Sequence, residues 1–545
     1  MDISVEPSPT SVPPPPGPER IRSTRSYGRG AIAGLLAAAA ALAAGELVTS
    51  LDRSRSSLVS AVGNEFIDRF AASLKELAVR LFGTNDKAAL VVGIVTTSLL
   101  LGAVFGVLDR RFRGVMAVGL ILFGVVGAWT YGTDPQGGSG LGLIAAAVAV
   151  VAGLLAHRVL DPVRPEAAAK APIAMSMSSP APIARPTRAA ASRRTFLAKS
   201  AAVGAGAAGV AVLARSRRTS GDAVRTARAR TVIPRPRVDV EVPAGILDSS
   251  VAGISPYVTP NSDFYRIDTA LLTPSIDVAT WKLAITGMVD EPVSFSYQEL
   301  LDLSTTSAGV TMMCVSNEIG DDLVGNAVWQ GVPLTDLLDR AGVQPGATQI
   351  VGRSVDGWTA GFPTEAAYDG RTALVAVAMN GEPLPQAHGF PARLVVAGLY
   401  GYVSATKWLD RIELTTWEEF DGYWVPRGWS KEGPIKTASR IDVPRSGAAL
   451  ATGRQVIAGV AWAPNRGISK VEVQVDDGPW EVATLGDVIG ADTWVQWMLE
   501  WDAPVGSHQI TVRATDGDGI TQTEERAPVA PDGATGWHSR RVMVS

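Results

Sequence analysis

The sequence has a single cysteine, Cys314, among 545 residues. No intrachain disulfide can form, so any water-soluble part must be held by its core alone. A lone cysteine is ordinarily a small buried hydrophobe, and any other role has to be argued from its neighbours. Histidine is nearly as scarce: His157, His388, His508 and His538 are the whole set. Only His157 lies near a long apolar run, so the chain cannot supply both axial imidazoles of a b-type haem there. No haem is expected, and electron exchange with a membrane carrier would need a separate partner. Charged residues make up 19% and the net charge is −4, without the concentrated basic face of a nucleic-acid-binding protein. No nucleophile elbow of a Ser/His/Asp hydrolase is present.

What is present divides the chain in two. The first 215 residues are rich in Ala, Gly, Val and Leu, and the rest carries most of the Trp, Asp and Glu. The Pro-rich start reads as a disordered cytoplasmic tail over 1–30. Apolar runs at Ala31–Val48, Ala88–Leu108, Val115–Tyr131 and Leu141–Ala156 each approach the ~20 residues that cross a bilayer. They define a four-helix transmembrane region over 31–160, with Glu46 at the interface and an amphipathic stretch, Leu58–Phe82, lying along the outer surface or packing against the helices. Arg20, Arg22, Arg25 and Arg29 place the N-terminus in the cytoplasm, and Arg110, Arg111 and Arg113 place the second loop there too.

Residues 161–199 read as a cytoplasmic linker that ends in Ser192-Arg193-Arg194-Thr195-Phe196-Leu197. This hexapeptide resembles the twin-arginine translocation signal, and a fifth apolar span over 200–215 follows it. Five spans put the remainder on the extracytoplasmic side of the cell membrane. Arg215, Arg217, Arg218, Arg225, Arg228 and Arg230 pull against that orientation, and the motif is weighed above them. Residues 216–244 read as an Arg/Pro-rich linker. A transporter built from the spans is disfavoured by the lack of an intramembrane charge pair.

Between 245 and 432 strands and short helices mix: Trp281–Val289 alternates as a strand, Tyr297–Leu303 and Leu334–Ala341 read as helices, and Ala373–Met379 is an apolar strand ending at the turn Asn380-Gly381. Here Thr311-Met312-Met313-Cys314-Val315-Ser316-Asn317 precedes Trp329-Gln330-Gly331-Val332-Pro333-Leu334. Met379-Asn380-Gly381-Glu382-Pro383-Leu384-Pro385 runs into His388-Gly389-Phe390-Pro391-Ala392-Arg393, and Lys407-Trp408-Leu409 with Ile412 closes the series. In this order the blocks resemble the signature of the sulfite oxidase family of molybdopterin oxidoreductases.

The resemblance implies an α+β molybdopterin domain in which molybdenum is held by two pterin sulfurs and one protein thiolate, that of Cys314. Thiolate is a soft anionic ligand, and metal binding removes its proton. His388, Arg393 and Lys407 suit the phosphate tail, Arg as a fork and Lys as a point charge. The family pattern adds cofactor contacts from Asn261, Phe264, Tyr265, Asn317 and Ser354, and from Ala405 and Thr406 beside Lys407. Asn261 could equally cap a turn, and Phe264 and Tyr265 could be core. The sequence departs from sulfite oxidases proper at Glu318, where they carry Arg, and at Trp358, where they carry Tyr. An oxyanion wants clustered cations, so the expectation is two-electron oxygen-atom transfer on a small S- or N-oxide. Sulfite oxidation and a non-catalytic membrane scaffold are the alternatives.

Residues 433–545 show short alternating strands at Gln455–Ala461, Lys470–Val475, Trp494–Glu500 and His508–Ala514, which suggest an immunoglobulin-like β-sandwich. In this family such a domain dimerises, so a homodimer is a further expectation. Asp516 and Asp518 read as a turn, because the closing glutamate of a calcium loop is missing. Trp462, Trp480, Trp494 and Trp497 read as core or interface packing.

Overall fold

The computed structural model describes residues 19–52, 55–67, 69, 86–135, 137–160, 188–218 and 221–545. Residues 1–18 of the expected tail, residues 161–187 of the expected linker and most of the amphipathic stretch beyond 67 lie outside the described residues. The chain forms two compact units, 1–219 and 220–545.

The first unit is helical: α1 (Glu19–Thr49), α2 (Leu58–Ile67), α3 (Asp86–Asp109), α4 (Val115–Thr133), α5 (Ser139–Leu160) and α6 (Arg188–Arg218). Five of these are long and apolar enough to cross a membrane, over Tyr27–Thr49, Ala89–Asp109, Val115–Thr133, Ser139–Leu160 and Arg193–Ser216. Small residues bring α1 and α3 together. A Cβ on Gly34 would stand 2.8 Å from the Cα of Gly106, and a Cβ on Gly106 equally close to the Cα of Gly34. Only glycine at both positions lets the backbones approach so nearly.

Two expectations are corrected here and one open choice is decided. α1 starts at Glu19, well before Ala31, because Pro18 is the last helix-breaking residue and the Arg-rich turns after it sustain a helix. α6 starts at Arg188, so the twin arginines sit on a helix that Phe196 fastens to Ala33 and Leu160. Of the two readings of the amphipathic stretch, packing against the helices holds for its described part, α2. Its Leu58 and Ala61 are buried against Tyr131, with Leu58 seated against Gly45 and Gly127. Polar contacts hold it there: the Glu46 carboxylate accepts from Val59 N (2.8 Å), and Asp134 accepts from Ser56 Oγ (2.7 Å) and Asn64 Nδ2 (2.8 Å).

The second unit begins with α7 (Gly221–Arg230), where a linker was expected. Val224 is buried in the main core, and Arg228 Nη2 donates to Pro383 O at 2.8 Å. The chain then runs extended. Pro234 O accepts from Gln330 Nε2 (2.7 Å), and Val238 bridges Thr306 in parallel. The supposed linker is thus part of the folded unit.

One sheet is ordered Val293–Ser296, Lys282–Gly287, Leu409–Thr415, Gln349–Ser354, Thr359–Pro363. Its only parallel pair is Lys282–Gly287 with Leu409–Thr415. The other is antiparallel: Thr306–Met313, Val324–Pro333, Ala373–Met379 and Glu382–Pro383, with Arg393–Val396 also paired to Ala373–Met379. The expected helices form over the expected residues. Ser296 and Glu299 make a capping box on Tyr297–Leu303. Leu334, Leu337, Leu338 and Ala341 bury one face of Leu334–Ala341 at helical spacing. Asn380 and Gly381, at φ 52 and 79, make the turn after Ala373–Met379, as an Asn-Gly pair favours. Both sheets feed one core around Leu283, Ile285, Trp329, Ile350, Val375 and Leu394.

At the C-terminal end a sheet of Ala438–Val443, Gly453–Trp462, Val495–Ala503 and Thr484–Leu485 faces one of Ala449–Leu450, His538–Val544, Gly506–Asp516, Ile468–Val475 and Glu481–Val482. Ile457 and Trp497 of the first meet Val471, Ile510 and Val512 of the second in a core of their own. The expected boundary at 433 does not separate two bodies, however. Tyr257, Met313, Tyr400, Val460, Trp462 and Trp494 share a cluster across it, and Trp494 Nε1 donates to Tyr257 O at 2.8 Å. Trp480 is half-buried, with the Arg513 guanidinium 4.1 Å from its ring centre. Asp516 closes a turn, accepting from Ile520 N (2.9 Å), Thr437 Oγ1 (2.9 Å) and Arg466 Nε (3.0 Å).

Candidate active site

Cys314 follows the last residue of the strand Thr306–Met313 and is buried, at 7% exposure. Its backbone N donates to Leu323 O (2.9 Å), which closes the loop that returns to the next strand. Asn317 pins that loop from inside: its N donates to Cys314 O (3.0 Å) and its Oδ1 accepts from Leu323 N (2.7 Å). Asn317 therefore fixes where the sulfur sits.

Three further segments converge. The first is the turn after Pro260, where Phe264 N donates to Pro260 O at 3.0 Å. The Phe264 ring stacks on Tyr265 (5.2 Å) and meets His388 (5.6 Å) and Trp329 (5.7 Å) edge-on. Gly325 leaves room for it, since a Cβ there would come within 2.8 Å of the ring. The second segment is Pro385–Arg393. His388 Nε2–H donates to Asn261 O (3.1 Å), and Asn261 Oδ1 accepts from Asn380 Nδ2 (2.9 Å). The third is Ala405–Trp408. Lys407 Nζ donates to Asp268 (2.7 Å) and Ala387 O (3.2 Å), and Val355 N donates to Trp408 O (2.9 Å) beside Ser354. Ser354 Oγ accepts from Asp356 N at 3.4 Å. The residues expected to meet a cofactor thus lie on a few loops and on the strand ends at Ser354 and Arg393.

Tyr265 connects the thiol with the cations. Its hydroxyl and Met313 O both lie 3.8 Å from the point a Cβ on Gly401 would occupy. Burial pushes its pKa well up, the Cys314 sulfur adds to this, and Arg393 opposes it. Arg393 itself is buried, and its guanidinium donates only to main-chain carbonyls: His388 O (3.2 Å), Leu394 O (3.3 Å) and Ala405 O (3.5 Å). No carboxylate lies within ion-pair distance of it among the described residues. Arg266 and Lys407 share one carboxylate, Asp268, at 2.9 and 2.7 Å. Desolvation brings Arg393 down to about 10 and Lys407 to about 8. Asp356, half-buried nearby, has its pKa raised, chiefly by desolvation.

Arg393 is therefore a buried cation with no carboxylate against it, which is costly unless an anion completes it. Thr406 Oγ1 is likewise buried with no partner among the described residues. One thiol, a buried guanidinium and ammonium, and an unused hydroxyl fit an anionic, sulfur-bearing metal cofactor. Arg266 and Asp268 escaped the sequence reading, although they lie one and three residues beyond Tyr265; Trp329 was read as part of the signature but given no place at the site. The Arg393 guanidinium lies 5.1 Å over the Trp329 ring.

Beside the Cys314 loop is a cavity of about 310 Å³, lined by Met313, Asn317 and Glu318 next to Cys314 and by Lys436, Trp462 and Arg466 from beyond residue 433. Lys436 pairs with Asp532 and Arg466 with Asp516, each at 3.0 Å. Motif matching could not find Lys436 or Arg466, because they lie over a hundred residues beyond Cys314 and reach it only through the fold.

Burial and the nearby Arg393 lower His388 from 6.5 to about 4. A depressed folded value means that the unfolded chain takes up a proton first. Stability is thus full above about 6.5 and falls as pH drops toward 4, by roughly 3 kcal/mol in all. His538 carries the same sign, also at about 4. Cofactor-free wild type is therefore expected to lose denaturant stability between pH 6.5 and 4 more steeply than His388→Gln, measured by urea midpoints at each pH. Equal slopes would refute a neutral His388.

These loops, their single thiol and the cations around it define a molybdopterin oxidoreductase of the sulfite oxidase type, and the chain belongs to that family. The family description "Oxidoreductase molybdopterin binding domain" matches residues 270–424. The chain is 35% identical over 157 residues to the uncharacterized oxidoreductase YuiH of Bacillus subtilis (strain 168), covering 29% of this chain and 76% of that one. It is 28% identical over 336 residues to the mitochondrial sulfite oxidase of Macaca fascicularis, covering 53% of this chain and 60% of that protein's length. Among solved structures, the sulfane dehydrogenase SoxCD from Paracoccus pantotrophus matches at 23% identity and a TM-score of 0.47, over 56% of this chain and 88% of that one.

Proposed function

We propose that this chain is a membrane-anchored molybdenum enzyme that carries out two-electron oxygen-atom transfer on a small neutral S- or N-oxide outside the cytoplasm. The observation that carries the reading is the buried Cys314 thiol beside Tyr265 and an unneutralised Arg393. Cys314 would ligate the metal. Arg393, Lys407 and His388 would hold the phosphate end, with Asn261, Phe264, Tyr265, Ser354, Ala405 and Thr406 around the pterin and Asn317 keeping the thiol in place. The bound cofactor supplies the two-electron couple. The protein's own residues position it, exclude water and admit substrate through the cavity beside Glu318.

Charge in that cavity bears on substrate. Lys436 and Arg466 would favour an oxyanion such as sulfite, and this second reading has the mitochondrial sulfite oxidases on its side. Yet each cation already has a carboxylate partner, and Glu318 adds an exposed negative charge. The balance favours a neutral substrate. The five apolar helices would anchor the chain with its N-terminus inside, the C-terminal sheets would form an immunoglobulin-like dimerisation domain, and a separate protein would exchange electrons.

The test is turnover by full-length, molybdenum-loaded protein of methionine sulfoxide, dimethyl sulfoxide and sulfite. Robust S-oxide reduction with weak sulfite oxidation is expected. Robust sulfite oxidation alone would overturn the substrate reading, and absence of bound molybdenum from a cofactor-competent host would overturn the enzyme reading.

A further inference from the structure

The segment from Arg230 to Val242 is clamped to the second unit along its length. Ile233 packs on the core, Pro234 O is held by Gln330, and Arg237 N and Val238 N both donate to Thr305 O, at 2.7 and 3.1 Å. Ser307 N returns a bond to Val238 O at 2.8 Å. Its outward side chains are thereby fixed on a ledge. Arg230, Arg235 and Arg237 are exposed, with Val232 at 83% exposure between the first two and Val238 at 60% directly after the third; the exposed Asp239 and Glu241 follow and mark the far end of the basic stretch. Over 230–238 the three cations and two bare valines on one held segment suit a surface with anionic heads above hydrocarbon.

The connection to the fifth apolar helix says which surface. That candidate span ends at Ser216, and only residues 219 and 220 separate α6 from α7. Even fully extended, residues 217–220 reach no more than about 15 Å, and α7 adds about 15 Å, so the ledge follows the span within about 30 Å of chain. We propose that this ledge docks the catalytic unit on anionic lipid headgroups, with the three arginines on the heads and Val232 and Val238 dipping below them. This rests on the membrane anchoring proposed above.

The test uses full-length protein in nanodiscs with a nitroxide on Val232→Cys; Cys314 is buried, and unsubstituted protein serves as the labelling control. In discs of phosphatidylcholine with one-third phosphatidylglycerol, the label should collide with a soluble nickel chelate several-fold less than in pure phosphatidylcholine. Protection should fade in 1 M salt, where the screening length is about 3 Å. It should be lost on adding Arg230→Gln, Arg235→Gln and Arg237→Gln. Equal nickel access in both lipids overturns the proposal, including the case of a ledge that serves an acidic protein instead. Carbonate extraction separates the two claims: release from membranes refutes the anchor, whereas retention with an accessible label refutes the ledge alone.

Discussion

Cys314→Ser is expected to lower turnover of the loaded enzyme by about a hundredfold or more, because losing even a group that supports a metal ligand costs 10–100-fold. Serine nearly matches cysteine in size, and the bond from residue 314 N to Leu323 O involves only backbone. The fold should therefore persist, at a cost of about 1–3 kcal/mol for a buried hydroxyl. The chemistry should not. A thiol ionises near 8.5 and lower beside a metal, and a serine hydroxyl does not ionise there. The cations that would hold the other end of the cofactor are untouched, so pterin content should fall much less than activity. X-ray absorption at the molybdenum edge would show one sulfur fewer around the metal. Unchanged sulfur coordination together with unchanged turnover would remove the basis of the whole assignment.

How much of this was legible in the sequence depends on the range of each interaction. Local signals were reliable. The capping pair Ser296 and Glu299, the four apolar residues of Leu334–Ala341 and the Asn380-Gly381 turn each specify their element within a few residues. The motif blocks marked Cys314, His388, Arg393 and Lys407, which sit in turns or at a strand end. Composition misled where its average hid tertiary contacts. Arg and Pro at 216–244 suggested a free linker, yet Val224, Ile233 and Pro234 fasten that stretch to the core. The amphipathic look of the stretch containing α2 left a surface and helix packing both open, and only Gly45 and Gly127, on other helices, reveal the slot for Leu58. Arg466 and Lys436 were unreadable because their nearness to the Cys314 loop is made by packing across the shared cluster of Trp462 and Trp494.

Arg393→Met should separate what this guanidinium does for the bare protein from what it does for a cofactor, and the two effects have opposite signs. In the cofactor-free chain Arg393 is a buried cation whose hydrogen bonds go only to carbonyls. Desolvation is the main cause of its depressed pKa, and no carboxylate offsets it. Replacing a buried charge with an apolar side chain of similar length is often neutral or stabilising, by about 1–4 kcal/mol. Cofactor-free Arg393→Met is therefore expected to unfold at equal or higher urea concentration than wild type. The loaded protein should behave oppositely. Loss of a forked donor to phosphate removes a charge-assisted contact worth about 1.5–3 kcal/mol, roughly a ten- to hundredfold loss of cofactor retention. Urea midpoints with and without cofactor, alongside pterin content after dialysis, measure both halves. A variant destabilised to the same degree in both states would mean that Arg393 serves the fold, and that its surplus charge was never meant for an anionic ligand.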